Sequence, residues 1–297
     1  MDVITHGFAR LKGRVWRRSL GLAAPFVRSE IPVLTYHSID DSGSLLSVSA
    51  QTLRSQLAVL RSEGWRSLSI HEYGLLAAAG RVEPRTFLIT FDDGYRNFLQ
   101  QAAPALSDFG FIATVFVPVS FIGQRPLWLK RDVPRMQQLL NEVGMTRAER
   151  DRLIASTNAL LDDDLMDWQE LRSLVAAGFD VQSHSAGHHF LTGLSPDELA
   201  ADLRHSREAL EANLCCPAPA IAYPYGASNV AVAEAARAAG FTIGFIADHG
   251  PREIRGLMEW RAGVSDQMSP HELLAMLRCW PLYPRLRAWW RRGRERS

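Results

Sequence analysis

Short apolar runs alternate with amphipathic stretches along most of this chain. Ile31 to His37, Thr86 to Phe91, Ile112 to Pro118, Ala220 to Tyr223 and Thr242 to Ala247 are brief and carry β-branched or aromatic residues, and the more polar Phe179 to Ser183 leads into a histidine cluster. They predict buried strands, and residues 258–264 predict another. Between them lie stretches with helical spacing. Ser49 to Gly64 places Leu53, Leu57 and Leu60 on one face, and Ile70 to Gly80 follows as a shorter helix. Tyr95 to Gly110 and Asp167 to Gly178 are each closed by a glycine. Ser195, Pro196 and Glu198 open a helix to about Leu214 with a capping box. Val230 to Ala239 and Pro270 to Trp280 complete the set. Strands alternating with helices indicate parallel βα units, as a barrel or an open doubly wound sheet. Both architectures place active sites beyond the C-terminal ends of the strands.

Two stretches break the alternation. Residues 38–49 are small and polar, a loop expected to lie over a site. Residues 124–167 are polar, Arg-rich and helical, with Trp128 near their start. They read as an insertion, its role as a lid left open, in a body spanning 31–280.

The composition, 47% hydrophobic and 22% charged, is that of an ordinary globular chain, and a net charge of +1 argues against nucleic acid as a partner. The charge is unevenly placed. Arg10, Lys12, Arg14, Arg17 and Arg18 lie in an N-terminal extension (1–30), and six arginines surround Trp289 and Trp290 in a tail (281–297). These ends are either solvated or a peripheral contact with an anionic membrane. Leu20 to Val27 faintly resembles a signal core but contains Pro25 and lacks a small-x-small cleavage site, so a cleaved signal peptide is not expected. Cys215, Cys216 and Cys279 make no disulfide framework. The expected location is cytoplasmic or peripheral to a membrane.

The chemistry concentrates at strand ends. The run from Thr86 stops at Asp92, Asp93 and Gly94. Adjacent carboxylates at the end of a buried strand repel and lose hydration. A divalent metal would offset that, and a plain turn with a helix N-cap is the alternative. The run from Phe179 leads into Ser183-His184-Ser185-Ala186-Gly187-His188-His189. In a helical turn, His184 and His188 would share a face. With an aspartate they would make a metal site with open positions, suited to zinc or another first-row ion. Ala222-Tyr223-Pro224-Tyr225-Gly226 is either a rigid turn or an aromatic wall presenting a backbone N–H.

These three motifs, in order, resemble those of the polysaccharide deacetylases of carbohydrate esterase family 4, which share the chitooligosaccharide deacetylase (NodB) homology domain. Thr90 to Gly94 is similar to the first motif, Ser183 to His188 to the second, and Ala222 to Gly226 to the third with alanine in place of arginine. The resemblance covers about residues 31 to 265. It implies a distorted (β/α) barrel of parallel strands and one divalent ion held by Asp93, His184 and His188. That ion is first of all zinc, with cobalt, nickel or manganese as alternatives. It implies Asp92 as catalytic base, and hydrolysis of acetyl groups, most often from N-acetylglucosamine units of a glycan or glycolipid. Tyr225, Tyr223, Pro224 and Trp128 are the expected substrate contacts.

Two departures stand out. The late leucine-rich motif that ends in the family's acid histidine is missing, and His271 lies on a helix as a capping or surface residue. Leu34-Thr35-Tyr36-His37 instead resembles the strand end of the poly-N-acetylglucosamine deacetylase branch, which implies His37 as the acid. Alanine at 222 removes the arginine that would orient Asp92, leaving its replacement open. Asp180 and Arg261 are candidates to stand behind site residues, and His189 to stand behind the site or at the surface. The alternatives are a carbohydrate-binding homologue without turnover and a deacylase of another acyl group on a lipid-linked sugar.

Overall fold

The computed structural model describes residues 30–44, 46–142, 147, 151, 155, 160–247 and 254–280. Both basic ends, apart from residue 30, the stretch from Leu20 to Val27, and most of residues 143–159 of the insertion lie outside the described residues. In chain order the elements are β1 (Val33–Tyr36), β2 (Ser38–Ile39), β3 (Ser47–Val48), α1 (Ala50–Ser62), β4 (Arg66–Ser67), α2 (Ile70–Ala78) and β5 (Thr86–Phe91). A π-helical turn (Phe98–Ala102) runs into α3 (Ala103–Asp108), followed by β6 (Thr114–Val117), α4 (Trp128–Glu142), α5 (Trp168–Ala176), β7 (Asp180–Ser183) and α6 (Pro196–Leu214). Then come β8 (Ala220–Ala222), α7 (Val230–Ala238), β9 (Ile243–Ala247), β10 (Glu259–Gly263) and α8 (Pro270–Arg278).

Among the described residues, β1, β10, β9, β8, β7, β6 and β5 form a closed parallel barrel of seven strands, sealed by pairing of β5 with β1. The short β4 adds to the start of β5. The predicted barrel is therefore observed. Closure abolishes the sheet edges that an open sheet would have to protect.

The side-chain period of two sorts residues into layers. Val33, Leu88, Phe116, Ala220, Ala222 and Phe245 share one cluster, the barrel interior, with Ile70 and Tyr73 of α2 packed in at its base. Leu34, Phe87, Ile89, Val115, Val117 and Val181 belong to the outer layer, against Leu53, Leu57 and Leu60 of α1 and Leu273 and Leu277 of α8. Small alanines on β8 opposite Phe116 and Phe245 suit the narrow bore of so small a barrel.

Two predicted elements differ. Tyr95 to Gly110 is not one helix: Tyr95 bridges Leu165 of the insertion, and α-helix begins only at Ala103. Pro104 has no N–H to continue an α ladder backwards, and the preceding turn takes the wider π spacing. Residues 38–49, expected as a loop, contain β2 and β3 paired with each other around Asp40, which accepts bonds from Ser42 N–H and the Ser47 hydroxyl.

Candidate active site

Alternation carries polar side chains to the upper end of the bore. Counting inward positions along β5 gives Leu88, Thr90 and then Asp92; along β1, Val33, Thr35 and then His37; past β7, His184. Asp93 would face outward on a regular strand. Its φ of 72° turns the chain back and brings the second carboxylate to the same side as the first. A non-glycine residue in that region is strained, as strained backbone at functional sites often is. Gly94 follows at φ 74°, and a Cβ there would stand 2.7 Å from Val117 Cγ1. Asn97 then bonds the Ser38 hydroxyl (2.6 Å) and Ile39 N–H (3.2 Å), tying the loop after His37 to the turn after Asp93.

His184 and His188 meet, but not on a helix. The segment after β7 is irregular, with Ser185 at φ 64° and His188 at φ 49°. Polar staples hold it. Ser185 N–H donates to Ser183 Oγ (3.1 Å), and His188 N–H to Ser185 Oγ (3.0 Å). The Asp202 carboxylate on α6 accepts from Ala186 and Gly187 N–H, both at 2.9 Å. The helical turn expected from the four-residue spacing is corrected on this point. Glycine and two left-handed residues favour a nest of N–H groups around Asp202 instead.

One ligand atom from each of Asp93, His184 and His188 lies within 4.8 Å of the others, and all three residues are buried. Asp93 Oδ1 stands 3.5 Å from His184 Nε2 and 3.2 Å from His188 Nε2, yet has no aligned hydrogen-bond partner. His184 Nδ1 is 2.7 Å from the Ala222 carbonyl, which fixes that nitrogen as the donor and leaves Nε2 as a lone pair facing Asp93. Two imidazoles and a carboxylate around an orphaned buried oxygen fit a divalent first-row ion. Burial pushes His184 down to about 4, against the opposing pull of Asp92 and Asp93, so the ring is neutral near neutral pH. Burial alone would raise the Asp93 carboxyl; His188 first, then His37 and His184, bring it far below the usual range.

Asp92 has a different partner. Arg261, on β10, donates from Nη1 to Oδ1 (2.7 Å) and from Nη2 to Oδ2 (2.6 Å). Burial acts to raise this carboxyl; the Arg261 charge, His184 and His37 outweigh it, and the net direction is down. Arg261 also donates to Thr90 Oγ1 (3.1 Å) and lies over the rings of Phe116 and Phe245 inside the bore. His37 Nε2 and His184 Nε2 are each 4.0 Å from Asp92 Oδ2, and the His37 side chain is 27% exposed. The arginine missing at 222 is thus replaced from a neighbouring part of the barrel. Its signal in the sequence is a lone arginine between apolar residues on a short strand, where a buried cation requires a partner.

The remaining predicted residues are spread over several roles. Tyr225, at φ 59°, lies edge-on to His188 at 4.9 Å, with Phe190 stacked on its other side at 3.9 Å. Tyr223 is wholly buried in the outer packing around Ile221 and Phe241, and Pro224 is buried beside it. Trp128 is buried too, its ring stacked on His188 at 4.6 Å. Tyr223 packs into the helix layer, and Trp128 stands behind the His188 imidazole. His189 lies over Gly187, and His271 is an exposed residue in the first turn of α8. Asp180 is corrected outright. It sits at the opposite end of β7, where its carboxylate accepts Ile70 N–H at 2.7 Å at the start of α2.

Comparison with known proteins adds an independent line. Residues 79–244 match the family model described as polysaccharide deacetylase. Over 223 residues the chain is 24% identical to YxkH of Bacillus subtilis, which carries the polysaccharide deacetylase name, covering 75% of this chain and 66% of that one. Over 107 residues it is 31% identical to the poly-beta-1,6-N-acetyl-D-glucosamine N-deacetylase of Escherichia coli O157:H7, covering 35% of this chain but only 16% of that one. Among solved structures, the fold is similar to the Streptococcus pyogenes deacetylase PplD in complex with acetate (TM-score 0.66, 22% identity, 84% of this chain and 99% of that one). It is also similar to IcaB from Ammonifex degensii (TM-score 0.62, 20% identity, 86% and 96%).

Proposed function

The chain belongs to the polysaccharide deacetylase family, and from that premise we propose a metal-dependent hydrolase that removes N-acetyl groups from sugar units of a polysaccharide, oligosaccharide or glycolipid. The observation that carries this reading is the division of labour between two adjacent carboxylates. Asp93 Oδ1 is buried among imidazoles without a hydrogen-bond partner, while both oxygens of Asp92 are engaged by Arg261. Asp93, His184 and His188 are the residues that would hold the ion, with zinc preferred and cobalt, nickel or manganese as alternatives. A divalent ion bound there supplies Lewis-acid chemistry, acidifying water and polarising the acyl oxygen.

The protein's own groups do the rest. Asp92, kept ionised by Arg261, accepts the proton of the attacking water. His37, on the open side of Asp92, donates a proton to the departing sugar nitrogen. A backbone N–H of the turn at Tyr225 steadies the negative charge on the acyl oxygen. Tyr225 is the ring best placed to meet the substrate. Contact with a membrane through the basic ends is a separate proposal, tested by vesicle co-sedimentation; among the described residues no helix is long and apolar enough to cross a membrane.

The test is acetate release by zinc-loaded protein from N-acetylglucosamine oligomers, the β-1,6-linked polymer and an N-acetylated sugar lipid. Release from at least one, abolished by Asp92→Asn while sugar affinity persists, supports the reading. A parent that binds these glycans but releases no acetate from any of them is a binding protein, and the reading is wrong. A sugar lipid carrying an N-formyl or O-acetyl group completes the panel, and acyl release confined to it points to the lipid-linked deacylase instead.

A further inference from the structure

Trp128, Arg131 and Asp132 open α4, at spacings that put all three on one face of the helix. Each reaches the metal loop or the turn at Tyr225. Trp128 stacks on His188 with ring planes 25° apart. Arg131 donates from Nη1 to the Gly187 carbonyl (3.0 Å) and from Nη2 to the His188 carbonyl (2.7 Å). The same guanidinium holds both oxygens of Asp132 at 2.8 Å. Asp132 Oδ2 accepts the Tyr225 hydroxyl at 2.7 Å. His188 and Tyr225 sit on separate loops, both in the left-handed region, and their rings touch.

We propose that this first turn of the insertion is part of the metal centre, with Asp132 and Arg131 as positioning residues that hold His188 and the Tyr225 turn in one arrangement. The proposal rests on the reading of Asp93, His184 and His188 as metal ligands. Two strained residues on two loops need an outside constraint to stay in place. One carboxylate–guanidinium pair supplies it to both, through the His188 carbonyl and the Tyr225 hydroxyl. A helix that merely covered the site would do so with apolar side chains and no charge to desolvate. Asp132 is 7% exposed, and its charge is desolvated for these contacts. The Tyr225 hydroxyl is therefore committed to the protein, and only the ring and backbone of that turn are left for a substrate. The insertion is, in this part, a strut and not a lid.

The test measures zinc affinity by competition with a chromophoric chelator, with melting of the metal-free protein alongside. The variants are Asp132→Ala, Asp132→Asn, Tyr225→Phe and the double variant Asp132→Ala with Tyr225→Phe. Loss of a group that holds a metal ligand in place costs about 10–100-fold in affinity. Asp132→Ala is expected at about the lower end of that range, with Asp132→Asn weakened less because its amide oxygen still accepts from Tyr225. The double variant is expected to match Asp132→Ala, since one interaction is removed twice. Zinc affinity unchanged in Asp132→Ala, with or without a lower melting temperature, overturns the proposal, and so does a Tyr225→Phe variant that loses affinity and adds that full loss to Asp132→Ala in the double variant. A parent protein that binds no zinc overturns the metal reading along with it. Failure to release acetate leaves the zinc measurement untouched.

Discussion

The two ends of the barrel each turn an aspartate into the bore, Asp92 buried and Asp180 half-buried, and the two are treated in opposite ways. At the upper end Asp92 meets a guanidinium with both oxygens, and its carboxyl is held down despite burial. At the lower end Asp180 meets Ile70 N–H at 2.7 Å and the Thr114 hydroxyl at 3.5 Å, with no guanidinium bonded to it among the described residues, and burial raises it. One end adds a second buried ion to keep a charge; the other tolerates a carboxylate as a helix cap. Keeping the Asp92 charge against such desolvation is what the proposed base requires, whereas nothing at Asp180 calls on its charge.

Removing the charge at the upper end is the largest break. Asp92→Asn is expected to lower acetate release on the order of 10³–10⁴-fold, the upper part of the range for a lost general base. Zinc stoichiometry stays that of the parent, because Asp93, His184 and His188 are intact. Steady-state kinetics beside metal analysis reads both. Near-parental turnover in the Asp92→Asn variant would end the assignment of Asp92 as base.

Removing its partner is next. Arg261→Met leaves Asp92 as an unpaired buried charge and is expected to cost about 3–5 kcal/mol of stability at neutral pH. Turnover falls about 10–100-fold as the carboxylate loses its orientation. The double variant, Asp92→Asn with Arg261→Met, recovers most of the stability but none of the activity. Chemical denaturation separates these outcomes, and a double variant no more stable than Arg261→Met would show that the pair is not the source of the loss.

His37 tests the same end from its open side. His37→Gln is expected to reduce turnover on the order of 100-fold, with stability and zinc affinity within error of the parent, because the ring is partly exposed and is not among the three residues proposed to hold the ion. The KM for an oligomer changes little if the histidine acts on the leaving nitrogen. A change in KM alone would instead make it a binding residue.

The upper end is the more legible of the two, and unevenly so. Asp92, Asp93, His184 and His188 announce themselves because each pair is local in sequence and each follows a short strand. Period-two counting even places Asp92 and His184 in the bore. It fails for Asp93, whose left-handed backbone is a tertiary outcome, and for His188, which reaches the site through an irregular nest and not a helical turn. Arg261 can be suspected of standing behind the site, but not matched to Asp92. The two are 169 positions apart and meet only because β1 sits between β5 and β10 when the barrel closes. Arg131 and Asp132 are hidden inside a polar stretch whose helical spacing says nothing of what it packs on. Asp180 misleads for the opposite reason: four residues before His184 looks close, yet along a strand it is about 13 Å, the other end of the bore.

The lower end gives the smallest and cleanest effect. The folded protein holds the Asp180 proton more tightly than the unfolded chain does. The contribution to stability is therefore complete below the unfolded value, about 3.9, and is lost as pH rises through the higher folded value. Above both it stays constant, as the standing penalty of a partly desolvated carboxylate. Asp180→Asn keeps an oxygen for Ile70 N–H and carries no charge, so it is expected to remove this acid-side slope and to change stability at pH 7 by less than about 1 kcal/mol, in the favourable direction. Melting curves of both proteins from about pH 3 to about pH 7, a window that spans about 3.9 and neutrality, decide the matter. If the parent instead gained stability relative to the variant as pH rose, Asp180 would be a paired carboxylate like Asp92, and the contrast between the two ends would collapse.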